Sequence, residues 1–123
     1  MKVLPIPPSH CINRHTLPQD GVVAYTEVVT VVVDFTTGSL HHHRLGSPSA
    51  ARALSDEEIA ALRAAARLAF SRQARVFRHQ TIAGIVGLVV AREGRMVCHG
   101  VDSGYFEDGA VGDCFRTVMR LGR

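Results

Sequence analysis

The sequence predicts a single α+β domain in the order ββαββα, with a four-stranded, mainly antiparallel sheet and two helices on one face. Three observations support this fold class. Residues 22–45 are rich in β-branched side chains around a short turn, residues 85–101 repeat that arrangement, and an amphipathic segment follows each of these regions. Strands joined by short turns pair antiparallel, and each helix must bury its apolar side against the sheet.

The length of the chain suits one domain. A chain of 123 residues buries roughly two-thirds of its unfolded surface without the help of disulfides or metals. Residues 1–20 are rich in proline and polar residues and show no periodicity, so they predict an extended N-terminal arm. The folded domain is expected to span residues 21–123.

The first hairpin is predicted from composition. Residues 22–35, VVAYTEVVTVVVDF, have the β-branched and aromatic character of one long strand. The TTG at 36–38 predicts a turn, and SLHHHRL at 39–45 predicts the returning strand. GSPSAARA, at 46–53, is expected to be a loop.

The first helix has the clearest signals. Ser55 and Glu58 have the spacing of a capping box, and Leu54 can pack on Ile59 across the helix start. At 100° per residue, the apolar side chains fall on one side of the helix, which predicts a core face. These side chains are Ile59, Leu62, Ala66, Ala69 and Phe70.

The second half of the chain predicts another hairpin and another helix. Two apolar segments flank Glu93 and Gly94 and predict a second hairpin over 85–101. The last segment, 107–123, has apolar residues at helical spacing and arginines towards its end, as the helix dipole favours. The apolar positions are Val111, Cys114, Phe115, Val118 and Leu121.

Three consecutive histidines raise the question of a metal site. If Thr37 and Gly38 form a two-residue turn, Asp34 lies opposite His41. Side chains alternate along a strand, so His41 and His43 share the face of Asp34 while His42 points to the other face. Two histidines and one carboxylate suit Zn(II) or Fe(II). The alternative is a solvated strand face in which Asp34 pairs with His41 and no metal binds.

Several functional classes are disfavoured. No apolar run reaches the roughly 20 residues that a membrane helix needs, and prolines interrupt the N-terminus where a signal peptide would be apolar, so a cytoplasmic protein is expected. Three widely spaced cysteines argue against a disulfide framework. The modest net charge of +3 indicates no specific nucleic-acid binding. We find no nucleophile with an adjacent base and no phosphate loop, which lowers the expectation of an enzyme.

The order of elements resembles that of emfourin-like proteins, small bacterial inhibitors of thermolysin-type metallopeptidases. The shared features are the LSDEEIAALRAA helix start and the EDGAVGDCFRTVMRL segment, and the resemblance covers roughly residues 22–121. It implies an α+β fold, inhibitory binding and a metallopeptidase partner. No individual binding residue is transferred from the family.

The leading interpretation is therefore a small non-enzymatic protein-binding domain, with peptidase inhibition as its specific form. A metal-binding protein using Asp34, His41 and His43 is the second interpretation. The third is a homo-oligomer in which the uncovered sheet face, or an open edge of the Val-rich strand over 22–33, pairs with a copy of itself.

Overall fold

The computed structural model describes residues 18–26, 28–72, 86–101, 106 and 108–122. Most of the predicted N-terminal arm lies outside these ranges, as do residues 73–85. The described elements are β1 (Gly21–Thr26), β2 (Val29–Asp34), β3 (Ser39–Arg44), β4 (Ala50–Ala53), α1 (Asp56–Phe70), β5 (Val86–Arg92), β6 (Arg95–Val101) and α2 (Gly109–Leu121).

The α+β class and the antiparallel sheet are confirmed, but the prediction of four strands was wrong. Within the described residues the sheet has six strands in the order β4-β3-β2-β1-β5-β6, and all neighbouring pairs are antiparallel. The two additional strands come from splitting the predicted first strand and from the segment that was expected to be a loop.

The Val-rich segment forms two strands because the chain reverses after Thr26. Tyr25 pairs with Thr30 across the β1–β2 hairpin. The Thr26 hydroxyl accepts hydrogen bonds from the amides of Val28, at 3.3 Å, and Val29, at 3.1 Å. A threonine hydroxyl that binds nearby amides stabilises a turn without glycine or proline. Uniform β propensity on both sides hid this turn from sequence analysis.

The same split changes which strands lie at the edges of the sheet. β1 lies between β2 and β5, and β2 lies between β1 and β3. The Val-rich strands are therefore internal, and the expectation that they offer an open edge for oligomerisation was wrong. The edges of the described sheet are β4 and β6.

The helix starts are confirmed. The Ser55 hydroxyl accepts a hydrogen bond from the Glu58 amide at 3.1 Å, and the Glu58 carboxylate accepts one from the Ser55 amide at 2.9 Å. This reciprocal pair is the predicted capping box. At α2, the Asp108 carboxylate caps the amides of Ala110 and Val111.

Both helices pack on one face of the sheet, as predicted. The core on this face joins buried strand residues with the apolar sides of α1 and α2. The helix residues predicted to be apolar are either buried or packed against this core, and they are Ile59, Leu62, Ala66, Ala69, Phe70, Val111, Cys114, Phe115, Val118 and Leu121.

The opposite sheet face has a second apolar cluster, formed by Val23, Tyr25, Val32, Val89 and Cys98. Tyr25 is only 2% exposed. It lies over Gly87, its cross-strand partner, so closely that a β-carbon at that glycine would be 2.1 Å from the tyrosine ring. The glycine in β5 is therefore required for this aromatic side chain to lie flat on the sheet.

Candidate functional site

The register of β2 and β3 differs from the predicted register by two residues. Asp34 pairs with Ser39, and Val32 pairs with His41. The connection between the strands contains four residues rather than two, with Gly38 in the left-handed region at φ 67°. A shift of two residues preserves the face of each side chain. The prediction that His41 and His43 share a face and His42 does not is confirmed, whereas Asp34 is not opposite His41.

Each member of the predicted metal site has a different local partner. The Asp34 carboxylate accepts a hydrogen bond from the Thr36 amide at 2.9 Å. The His41 Nε2 is 3.4 Å from the Ser39 hydroxyl, and the His43 Nδ1 is 2.9 Å from the Ser49 hydroxyl. Among the described residues, no group of three or more His, Cys, Asp or Glu side chains is arranged to hold a metal ion. Binding of Zn(II) or Fe(II) by Asp34, His41 and His43 stays a prediction.

The cysteine thiols in the described chain are poorly suited to nucleophilic chemistry. Cys98 and Cys114 are both free and buried. Burial raises the pKa of Cys98, and it raises the pKa of Cys114 to about 12. The thiolate is the reactive form of cysteine, so both groups are unreactive at neutral pH.

His99, in β6, is buried on the face of the sheet that the helices cover. It is 2% exposed, and its Nε2 donates a hydrogen bond to the Ala69 carbonyl at 3.1 Å. Burial lowers the pKa of the imidazole, while the bond to Ala69 and the nearby Asp108 act in the opposite direction. This arrangement joins the end of α1 to β6, so we assign it a structural role.

β4 is the most exposed strand of the described sheet. Its four residues, AARA, are all exposed, and no described strand pairs with its outer side. An edge strand presents unpaired amides and carbonyls that another chain can bind. The segment was expected to be a loop because it is short and follows Gly, Ser and Pro. Pairing with β3 makes it a strand, with Leu40 opposite Arg52 and His41 opposite Ala51.

The Arg52 side chain fixes β4 to the helices. Its guanidinium donates to both carboxylate oxygens of Glu58, at 3.1 and 2.9 Å, and to the carbonyl of Leu121 at 2.9 Å. The strand is thereby connected to the first turn of α1 and the last residue of α2. A fixed edge loses less conformational freedom on binding than a mobile one, which favours affinity.

Apolar side chains are exposed beyond the end of β3, before the loop to β4. Leu45 is 51% exposed and Val28 is 41% exposed. The two residues are adjacent, because the Leu45 amide donates to the Val28 carbonyl at 2.7 Å. The sequence does not reveal this apolar pair, because the turn after Thr26 is what places Val28 beside Leu45.

Comparisons of this chain with protein-family models, with curated proteins and with solved structures gave no match. Among the described residues, no helix is long and apolar enough to cross a membrane.

Proposed function

We propose that this chain is a non-enzymatic protein-binding domain that pairs an extended segment of a partner with β4. The observation that supports this most directly is the exposed edge of β4, held in place by Arg52. Adding a strand to such an edge gives affinity through main-chain hydrogen bonds and specificity through alternate side chains. The partner segment would become a seventh strand of the described sheet.

An extended segment of another protein fits this edge better than a second copy of the chain does. β4 has only four residues, three of them alanine. Stable dimer interfaces bury about 1,200–2,000 Å² in total, which a pair of such short strands does not provide.

Inhibition of a thermolysin-type metallopeptidase is the specific form of this proposal. Its support is the resemblance of the LSDEEIAALRAA and EDGAVGDCFRTVMRL segments to emfourin-like proteins. In this form, the partner segment that pairs with β4 belongs to the peptidase.

The β4 proposal is tested with a peptide library displayed on phage and selected on the full chain. The affinity of selected peptides is then measured for the wild-type protein and for Ala51→Lys, which places a charged side chain on the edge strand. Ala60→Lys is the matched control because Ala60 is an exposed alanine of α1. We expect Ala51→Lys to weaken peptide binding at least about tenfold, corresponding to 1.4 kcal/mol, and Ala60→Lys to leave it unchanged.

Equal affinity for the wild type and Ala51→Lys would contradict the assignment to β4. The peptidase form is tested separately by titrating thermolysin with the same three proteins. Inhibition that Ala51→Lys reduces and Ala60→Lys does not would support it. Full thermolysin activity at a large excess of the wild-type chain would reject the peptidase form and leave peptide binding to be judged by the first experiment.

A further inference from the structure

A cleft of about 200 Å³ lies between α1 and the end of β5, and it has no residue in common with β4. Its charged lining includes Arg63 and Arg67 from α1, Arg92 from the end of β5, and the acids Asp20 and Glu93. Three arginines and two acids give the lining a formal charge of +1. The excess of one positive charge matches a ligand with one negative charge.

Arg63 has a fixed position in this cleft. Its guanidinium carbon lies 4.6 Å from the centre of the Phe35 ring, and its Nη1 lies 3.4 Å from the Asp20 carboxylate. Asp20 is thus paired with Arg63. Stacking on an aromatic ring holds the guanidinium plane while leaving its other N–H groups available.

Arg67 and Arg92 supply the remaining positive charge. Arg67 follows Arg63 by four residues, so the two side chains are neighbours on the helix surface. Arg92 approaches from the strand side of the cleft. Both are exposed, and neither forms an ion pair with another residue in the described ranges. Guanidinium groups from two elements can bind a carboxylate with charge-assisted, bidentate hydrogen bonds.

The rest of the cleft is apolar. Phe70, Ala66 and Val90 form its inner wall. Pockets for drug-sized ligands occupy about 300–1,000 Å³, whereas a cavity of about 150 Å³ holds one benzene ring. The volume of about 200 Å³ therefore suits one ring or one branched side chain beside a carboxylate.

We propose that this cleft binds a carboxylate attached to a single aromatic or branched apolar group. Small arylalkanoic acids have this chemistry, and so does the C-terminal residue of a peptide that ends in an apolar side chain. The carboxylate would contact Arg67 and Arg92, and the apolar group would pack on Phe70, the partly exposed member of the apolar wall.

The proposal is tested by NMR titration of the isotope-labelled full chain with phenylacetate. We expect saturable shifts at Ala66, Val90 and Ala91. Phenylacetamide, which has the same shape without the charge, should bind at least about tenfold more weakly, because the hydrogen bonds to an ionised group are the stronger ones. A salt titration should also weaken phenylacetate binding.

The variants Arg67→Gln and Arg92→Gln should each weaken phenylacetate binding about tenfold. Arg44→Gln is the matched control, because Arg44 is an exposed arginine at the end of β3, and it should have no effect. An unchanged spectrum up to about 10 mM phenylacetate would overturn the proposal. Equal binding of phenylacetamide, or equal loss in Arg44→Gln, would overturn it as well.

The source of the carboxylate is distinguished by the peptide acetyl-Gly-Gly-Phe with a free or an amidated C-terminus. Tighter binding of the free peptide than of phenylacetate assigns the cleft to a peptide C-terminus. If phenylacetate binds and the peptide does not, the ligand of the cleft is a small acid. Because the cleft and β4 are separate, Ala51→Lys should not alter phenylacetate binding, and failure of one proposal is distinguishable from failure of the other.

Discussion

Arg52 and Glu58 connect the edge of the sheet to the start of α1 through two parallel hydrogen bonds between a guanidinium and a carboxylate. The same carboxylate accepts the Ser55 amide at 2.9 Å. One side chain therefore completes the helix cap and holds the exposed strand. Removing Glu58 should affect both the helix start and the position of β4.

The first prediction concerns the cap. Ser55→Ala should lower the free energy of unfolding by about 1 kcal/mol, because the hydroxyl satisfies an amide of the first helical turn. Ser47→Ala, at an exposed loop serine, is the control. Urea unfolding curves of the three proteins measure the difference, and identical midpoints for the wild type and Ser55→Ala would contradict the role of the cap.

The second prediction concerns Glu58 and acid. The hydrogen bond from Arg52, followed by that from the Ser55 amide, lowers the pKa of Glu58 from 4.5 to about 2. The ionised form is favoured in the folded state, so this stabilisation is complete above pH 4.5 and is lost as the pH falls towards 2. Glu58→Gln should weaken the dependence of stability on pH between 4.5 and 2. Glu57→Gln, the neighbouring exposed acid, is the control, and an equal effect of both variants would refute this assignment.

The third prediction concerns His99. Its pKa in the folded protein is lowered from 6.5, mainly by burial, so the unfolded chain binds the proton more readily. The free energy of unfolding should be highest above about pH 6.5 and should fall as the pH decreases below that value. His99→Gln should reduce this slope, whereas His42→Gln should retain it. Unfolding midpoints at pH 7.5 and at pH 5.5 provide the measurement. A wild-type midpoint that is the same at both values would show that His99 does not destabilise the fold in acid.

The fourth prediction concerns Thr30 on the face opposite the helices. Its side chain is 1% exposed, and its hydroxyl has no hydrogen-bond partner in the described part of the chain. A buried hydroxyl without a partner costs about 1–3 kcal/mol. Thr30→Val, which keeps the shape, should therefore raise the free energy of unfolding by about 1 kcal/mol. Thr117→Val should not stabilise the protein, because the Thr117 hydroxyl donates to the Asp113 carbonyl. A loss of stability in Thr30→Val would reveal a partner for this hydroxyl.

The fifth prediction concerns the three histidines. Because Asp34 pairs with Ser39 instead of His41, we expect protein purified without affinity metal to contain less than one equivalent of zinc or iron. Elemental analysis measures this directly. A full equivalent that disappears in His41→Ala and in His43→Ala, but persists in His42→Ala, would instead establish the metal site, because only the first two histidines share a face.

The sequence by itself determined the features that depend on neighbouring residues. The capping box of Ser55 and Glu58 and the second hairpin around Glu93 and Gly94 are local, so the order of residues is sufficient to predict them. The apolar sides of α1 and α2 follow from helical periodicity. The shared face of His41 and His43 follows from strand alternation. This prediction was correct although the predicted register was wrong by two residues, because a shift by an even number leaves every side chain on its face.

Only the tertiary structure decided the number of strands and the surfaces that a partner can reach. The turn after Thr26 lies in uniform β propensity, and β4 is a strand because β3 pairs with it and Arg52 anchors it to Glu58 and Leu121. The cleft at Arg63 joins α1 to the end of β5, elements separated by a long stretch of chain. The turn after Thr26 and the β3–β4 pairing are close in sequence, but their residues lack a turn or strand signal strong enough to predict them. The contact of Arg52 with Leu121 and the cleft join segments distant in sequence, and local propensity does not encode which of these come together.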